Sequence, residues 1–461
     1  MMQFENTQAV SLEEMLNARD RRVKTQKILL ENHRATLISF TLNIPGQYKV
    51  FPLAKKTFAE GISCIESQIN LAGGQILEKV VVDEHTGCEA YFVVNIPEEK
   101  IKKHMITIEE EHPIGRLFDM DVFSSMGESL HGADAGRNER KCIVCGEPVW
   151  ACSRNRTHSA EELSERVVKL MDDYFALRYA DWAAEIAVKA LLYEVAATPK
   201  PGLVDRVDNG SHKDMDIFTF IDSALSLTDY FRKIALQAIY YKGDICNLLP
   251  QLRYPGRQAE THMFEVTNGI NTHKGAIFTF GILCASMGLI YAGDLPETPE
   301  TLLTICGKIA SELPDELSTD TEKANTHGER AFANFGLSGI RGEAAQGYPN
   351  VARYGYPALK DAVESGSSLN DAGVIALLHL IANVDDTNIV ARSDLATLKD
   401  IRAKVTAFVK EETDTNHLIA YAAQLNKEFI KHRISPGGSA DLLAASYFLY
   451  FFNTDTRKST L

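Results

Sequence analysis

Six segments beyond residue 197 of this 461-residue chain crowd together side chains that bind phosphate and divalent metal. GINTHKGAIFTFG (269–281) sets Asn271, Thr272, His273, Lys274 and Gly275 directly before the apolar run Ala276-Ile277-Phe278. A helix that only needed an N-cap would manage with one Asn or Thr; the additional polar groups point to a bound ligand. TPKPGLVDRVDNGSHKDMD (198–216) carries Lys200, Asp205, Asp208, His212, Lys213, Asp214 and Asp216. NTHGERAF (325–332) echoes the first knot with His327 and Glu329. GIRGEAAQGYPN (339–350) holds Arg341 and Glu343, NVDDTN (383–388) holds Asp385 and Asp386 with Arg392 just after it, and SPGGSADLL (435–443) completes the set. Glycines let backbone amides approach a ligand, and helix N-termini favour anions. Lys200, Lys274, Arg341 and Arg392 are cations suited to phosphates. The aspartates, Asp385 and Asp386 among them, are hard oxygen ligands suited to Mg²⁺ bridging a polyphosphate. One Asp-rich turn alone is usually a solvated cap. Six of them fit a nucleoside triphosphate bound with metal. GxxxxGK[ST] does not occur, so any nucleotide is held without a P-loop.

The first half carries two smaller constellations. HPIGRLFDMDVF (112–123) places Asp119 and Asp121 two apart on an apolar strand, hence on one face, where a divalent metal can bridge them to phosphates. An edge strand with its polar face in water is the plainer reading of such a pair; the flanking Arg116 and His112 favour phosphate chemistry. KCIVCGEPVWACSRNRTHSAEEL (141–163) supplies Cys142, Cys145, Cys152 and His158, a ligand set suited to tetrahedral Zn²⁺, although the spacing is not that of a standard finger. The alternative is a turn of reduced cysteines. The other five cysteines are scattered among apolar residues, as buried reduced thiols would be.

These residues must be positioned by two different textures of chain. After a helical pattern over 11–33, residues 35–46 read as a strand, 58–74 as a helix, 76–96 as a hairpin and 105–125 as two more strands. That makes an α+β domain with a mostly antiparallel sheet over 10–175. Beyond Ala160 strand signals nearly vanish. Helical patterns take over at 161–178, 181–197, 216–240, 276–292, 371–383, 394–425 and 438–452, an all-α domain over 178–461 joined through a helix or short turn near 160–180. A length of 461 residues fits two domains. With 45% hydrophobic and 24% charged residues the chain reads as globular, and a net charge of −14 argues against nucleic acid or an anionic membrane as partner. The polar, acidic N-terminus lacks a signal-peptide core, and the expected location is the cytoplasm.

The segments EVAATPKPGLVDRVDNGSHKDMD, GINTHKGAIF, NTHGERAF, GIRGEAAQGYP and PGGSADLLA resemble the triphosphoribosyl-dephospho-coenzyme A synthase family over about residues 180–455. The resemblance implies that ATP and 3′-dephospho-coenzyme A give the 2′-(5″-triphosphoribosyl) derivative and adenine. Such glycosyl transfer wants a carboxylate near the anomeric carbon or the nucleophile and a donor near the departing base. Glu194, Asp205, Glu329 and Glu343 are the candidates, with Asn271, His273, Lys274, Gly275 and His327 among the ligand-binding residues. NARDRRVKTQKILLENHRATLISFTLNIPG, GRLFDMDVF and RKCIVCGEPVWACSRNRTH resemble the holo-citrate lyase synthase family over about residues 10–175. This second resemblance implies transfer to a serine of the acyl carrier protein of citrate lyase with release of diphosphate. Metal on Asp119 and Asp121 and a clamp of Arg19, Arg22 and Arg116 would serve that step. The chain is therefore expected to be a bifunctional transferase using Mg²⁺. The competing readings are the equivalent maturation factor of malonate decarboxylase and a non-catalytic nucleotide- or zinc-binding adaptor.

Overall fold

Ser11 starts the first helix: its hydroxyl accepts from the Glu14 amide while the Glu14 carboxylate accepts from the Ser11 amide at 2.8 Å, a reciprocal cap. In this computed structural model, which describes residues 7–130, 138–313 and 327–456 (the side chains of 327–329 excepted), that helix is α1 (Leu12–His33). The chain divides into two compact units at Phe175/Ala176.

In the first unit β1 (Thr36–Leu42) is followed by α2 (Pro52–Leu71), then β2 (Ile76–Glu84), β3 (Gly87–Val94), α3 (Glu98–Glu111) and β4 (Phe118–Phe123). The four strands form one antiparallel sheet in the order β2-β3-β1-β4. Period-two alternation splits the sheet's side chains between two layers. Ile38, Phe40, Phe92, Val94, Met120 and Val122 meet α2 and α3 through Ile65, Ile69, Ile101 and Met105. Leu37, Tyr91 and Val93 on the opposite face meet Leu29 of α1. Asp119 and Asp121 share that α1 face, opposite Thr41 and Ser39 of β1. On α2, Gly61 lies against the Phe40 ring so closely that a Cβ would overlap it.

One expectation is corrected here. Residues 105–125 hold a single strand, because 98–111 is helical. The alternation in MITI looks like a strand, but Ile101, Met105 and Ile108 recur at helical spacing and are all buried. Tertiary burial of that stripe overrides the β-branched composition.

Past α4 (Val149–Asn155), the expected helices over 161–178 and 181–197 run on as one, α5 (Ala160–Ala196). The rest is helical: α6 (Ile217–Ser226), α7 (Thr228–Ile239), α8 (Leu249–Val266), α9 (Lys274–Gly293), α10 (Pro299–Ile309), α11 (His327–Phe335), α12 (Gly339–Ala345), α13 (Tyr356–Glu364), α14 (Leu369–Asn383), α15 (Thr387–Arg392), α16 (Leu395–Glu411), α17 (Thr415–His432) and α18 (Gly437–Thr454). The pattern over 216–240 is thus two helices, broken at Leu227, and that over 394–425 is broken where Asp414 caps α17. The architecture is an α+β unit with a small antiparallel sheet followed by a predominantly helical one.

The central helix α9 is apolar on most sides and mostly buried, packing against α7, α8, α10 and α18. Gly288 allows the close approach to α7, since a Cβ there would overlap the Ala235 carbonyl. Among the described residues it is the one helix long and apolar enough to cross a membrane, and it lies inside the helical core instead.

Candidate active sites

In the helical unit the polar segments between helices converge on one cavity of about 1390 Å³. The starts of α9 and α18 open onto it, as do the turns leading into α12 and α15, so the partial positive charge of helix starts gathers there. Its wall brings together Glu194, Lys200, Asn271, His273, Lys274 and Gly275 with Arg341, Glu343, Asp385, Asp386 and Arg392. Asp205 does not line it. Its carboxylate accepts from the Thr198 hydroxyl (2.7 Å) and from the amides of Lys200 (3.1 Å), Val207 (2.7 Å) and Asp208 (3.0 Å), which ties the 198–208 turn. The side chains of His327 and Glu329 lie outside the described residues.

Lys200, 1% exposed, donates its Nζ to Glu194 Oε1 at the end of α5, and Glu194 is itself 5% exposed. Burial raises the Glu194 pKa, while the Lys200 charge acts against it. His273 is also buried, and dehydration followed by the Lys200 charge holds its pKa down at about 3, so the ring is neutral. Thr272 Oγ1 donates to Ser223 Oγ at 2.7 Å, and Ser223 Oγ lies 2.7 Å from His273 Nδ1. Ser223 Oγ, already accepting from Thr272, has its own hydroxyl hydrogen free to donate to Nδ1, the tautomer that leaves the imidazole proton on Nε2, which is buried without a hydrogen-bond partner.

Asp385 and Asp386 have different settings. Asp386 caps α15 by accepting from the Asn388 amide (3.0 Å) and clips the start of α18 by accepting from the Ser439 amide (2.7 Å) and hydroxyl (3.0 Å). Asp385 is paired with Arg402. Lys274 is paired with Glu260 of α8, and Arg392 lies 3.5 Å from His212 Nδ1.

One carboxylate in the cavity escaped sequence reasoning. Asp441, at the start of the second turn of α18, presses against Gly275 at the start of α9, where a Cβ would overlap its Oδ2. Dehydration, then the charges of Glu194 and Asp386, hold its pKa well above the carboxylate range. The available signal was an acid inside the otherwise small and apolar run SPGGSADLL.

In the first unit Asp119 and Asp121 sit among cations. Arg140 Nη2 is 3.2 Å from Glu109 Oε1 and 3.6 Å from Asp119 Oδ1. Lys102, 2% exposed, donates to the Met120 carbonyl between the two aspartates at 3.1 Å, and Glu109 accepts from the Met120 amide at 3.0 Å. Dehydration by the surrounding protein, then Asp119, raises the pKa of Asp121. Arg116 reaches the Lys141 carbonyl at 2.7 Å. Arg22 is engaged by Glu89 through two hydrogen bonds of 3.0 and 2.8 Å, and Arg19 lies near Lys49. Arg140, Lys102 and Glu109 were missed: Arg140 follows an Asn-Glu pair far from the strand in sequence, Glu109 fell in the stretch read as strand, and Lys102 lies just before that stretch.

The ligand atoms of Cys142, Cys145, Cys152 and His158 all lie within 4.8 Å of one another. Burial pushes the Cys142 thiol up, but the amides of Cys145 and Val144 and the neighbouring thiols more than offset it, leaving it below its ordinary value. The Cys145 thiol pushes Cys152 up to about 11.

Two family models match this chain in tandem: apo-citrate lyase phosphoribosyl-dephospho-CoA transferase over residues 10–174 and ATP:dephospho-CoA triphosphoribosyl transferase over residues 180–460. Protein CitXG of Haemophilus influenzae is 34% identical over 459 residues, covering 96% of each chain. Protein CitXG of Leuconostoc mesenteroides is 34% identical over 468 residues, covering 97% of this chain and 98% of its own. A probable 2-(5''-triphosphoribosyl)-3'-dephosphocoenzyme-A synthase of Streptococcus equi is 36% identical and matches 59% of this chain with 96% of its own. The chain is a transferase and belongs to the family in which an apo-citrate lyase phosphoribosyl-dephospho-CoA transferase is fused to an ATP:dephospho-CoA triphosphoribosyl transferase.

Proposed function

We propose that the helical unit converts ATP and 3′-dephospho-coenzyme A into 2′-(5″-triphosphoribosyl)-3′-dephospho-coenzyme A and adenine. The first unit then transfers the product to a serine of the citrate lyase acyl carrier protein with loss of diphosphate, and both steps occur in the cytoplasm. The observation that carries the first step is the cavity in which cations, carboxylates and helix starts converge, with Lys200 and Glu194 buried in its wall. Drug-sized ligands occupy roughly 300–1,000 Å³, so about 1390 Å³ accommodates two nucleotides side by side.

In that cavity the 2′-hydroxyl of dephospho-coenzyme A attacks the ribose anomeric carbon of ATP, and the carbon–nitrogen bond to adenine breaks. The proton lost by the hydroxyl balances the one gained by adenine. Glu194 faces the developing oxocarbenium charge, with Lys200 holding its orientation. Asp441, kept protonated by its surroundings, is suited to donate to the departing base. Lys274, Arg341 and Arg392 serve the triphosphate, assisted by the amides at the start of α9. Mg²⁺ fits a cavity in which carboxylates raise one another's pKa. Asp385 and Glu343 would hold it, while Asp386 keeps its oxygens on α18 and Asp441 keeps its proton for the departing base. When bound, Mg²⁺ neutralises phosphate oxygens.

In the first unit, Asp119 and Asp121 offer a metal-binding pair for the same purpose, and Arg116 and Arg140 supply positive charge beside it. Separate sites predict separable defects. Asp119→Asn should abolish transfer to the carrier protein yet leave adenine release, followed chromatographically, near wild type. Lys274→Ala should lower adenine release but spare transfer of ready-made triphosphoribosyl-dephospho-coenzyme A. Loss of adenine release in a folded Asp119→Asn protein would mean one shared site and sink the two-site reading.

A further inference from the structure

A short knuckle precedes α5. The Cys142 amide donates to the Glu147 carbonyl (2.6 Å), the Gly146 amide returns to the Cys142 carbonyl (3.0 Å), and Lys141 pairs with Pro148. Gly146, at φ +78°, makes the turn that brings Cys145 back beside Cys142. Helix α4 then presents Cys152, and Arg156 ends it at φ 47° so that His158 folds back to the same point. Cys145 Sγ and Cys152 Sγ are 3.4 Å apart, too far for a disulfide. Tetrahedral zinc with bonds of about 2.3 Å wants sulfurs roughly 3.8 Å apart. His158 Nε2 is buried with no hydrogen-bond partner, as a nitrogen facing a metal position would be.

The knuckle also carries the cations of the first site. Arg140 directly precedes the bridge residue Lys141; its carbonyl accepts from the Val149 amide at 3.0 Å, and its guanidinium reaches Glu109 and Asp119. Arg116 is anchored on the Lys141 carbonyl, and Arg166 of α5 donates to the Ile143 carbonyl at 3.2 Å. We propose that Cys142, Cys145, Cys152 and His158 hold one Zn²⁺, and that this zinc knuckle positions Arg140 and Arg116 beside the Asp119–Asp121 pair. The metal assignment stands on geometry alone. The positioning role rests on the transfer reading above.

The test uses the full-length protein purified from zinc-supplemented medium. Metal analysis should find one zinc per chain, and X-ray absorption should show three sulfurs and one nitrogen. Cys145→Ser should lose the metal and lower transfer from ready-made substrate roughly a hundredfold, the scale of a small misplacement at a reacting centre, with adenine release unchanged. Arg140→Ala should lose transfer while keeping its zinc, and His158→Cys should keep both. Metal-free wild-type protein, or one with a Cys145–Cys152 disulfide, would overturn the zinc assignment. Zinc-free Cys145→Ser or His158→Cys protein with full transfer would overturn the positioning role. A Cys145→Ser chain too unstable to purify leaves the decision to Arg140→Ala and His158→Cys: zinc loss in the first, or transfer loss in a zinc-loaded second, counts against the proposal.

Discussion

Replacing Lys200 by Met removes the one charge paired to Glu194 among the described residues and leaves that carboxylate, 5% exposed, dehydrated. Removing one partner of a buried ion pair costs about 3–5 kcal/mol because the other charge is left uncompensated. Glu194 can escape by taking up a proton. Its pKa, already above 4.5 through burial, then rises further in the folded state only. A group raised in the folded state contributes its stability below its unfolded pKa and loses it as pH rises toward the folded one. The defect of Lys200→Met should therefore be slight at pH 5 and approach its full size by pH 8, growing by about 1.4 kcal/mol per pH unit between. Trp182, 2% exposed in the helical unit, reports urea unfolding once Trp150, the other tryptophan, is replaced by Phe. Adding Glu194→Gln to Lys200→Met should remove the pH dependence. A loss below about 1 kcal/mol at pH 8, the level of a surface pair, would refute the reasoning. So would an equal loss at both pH values.

Glu109 carries a similar signature in the other unit: burial first, against the Met120 amide and Arg140, lifts its pKa from 4.5 to about 7. It should contribute stability below pH 4.5 and lose about 3 kcal/mol as pH rises to 7. Hydrogen exchange on α3 and β4 peptides should show that loss in the wild type, a flat profile in Glu109→Gln, and no difference between them if the assignment is wrong. Gly61→Ala forces a Cβ into the Phe40 ring, which stacks on Phe58 at a centroid distance of 5.0 Å. The first unit should lose about 1–3 kcal/mol from overpacking, seen as a lower melting temperature, and a rise in melting temperature would show that the ring has room to move.

Much of the cavity was legible because its segments had to be unusual. Helices meeting at a polar space need breaks, and breaks need Gly, Pro, Asn and Asp, which stand out between apolar runs. What each residue does once there was not legible. Asp205 and Asp386 carry the same side chain as Asp441, yet the first ties a turn, the second joins two helices, and only the third presses on the start of α9. For the last two, the role is set by residues more than fifty positions away, Ser439 for Asp386 and Gly275 for Asp441. Helix α3 was misread for a related reason: Met105-Ile106-Thr107-Ile108 alternates locally, and only burial of Ile101 and Ile108 with Met105 selects the helix. The constellation around Asp119 was half visible, since Asp119, Asp121 and Arg116 are neighbours in the chain while Lys102, Glu109 and Arg140 arrive from separate elements.

Helix α9 imposes an order on synthesis. It leaves the ribosome as twenty residues greasy enough to be taken for a membrane anchor. Its neighbours α7 and α8 have already emerged by then and can shield part of it at once. The face that α18 covers stays bare until some 150 further residues have been made, on the spacing between Gly293 and Gly437. A nascent chain stalled anywhere in that interval displays an apolar stripe open to misdelivery or clumping. The late helix that completes the cavity is also the one that ends this exposure.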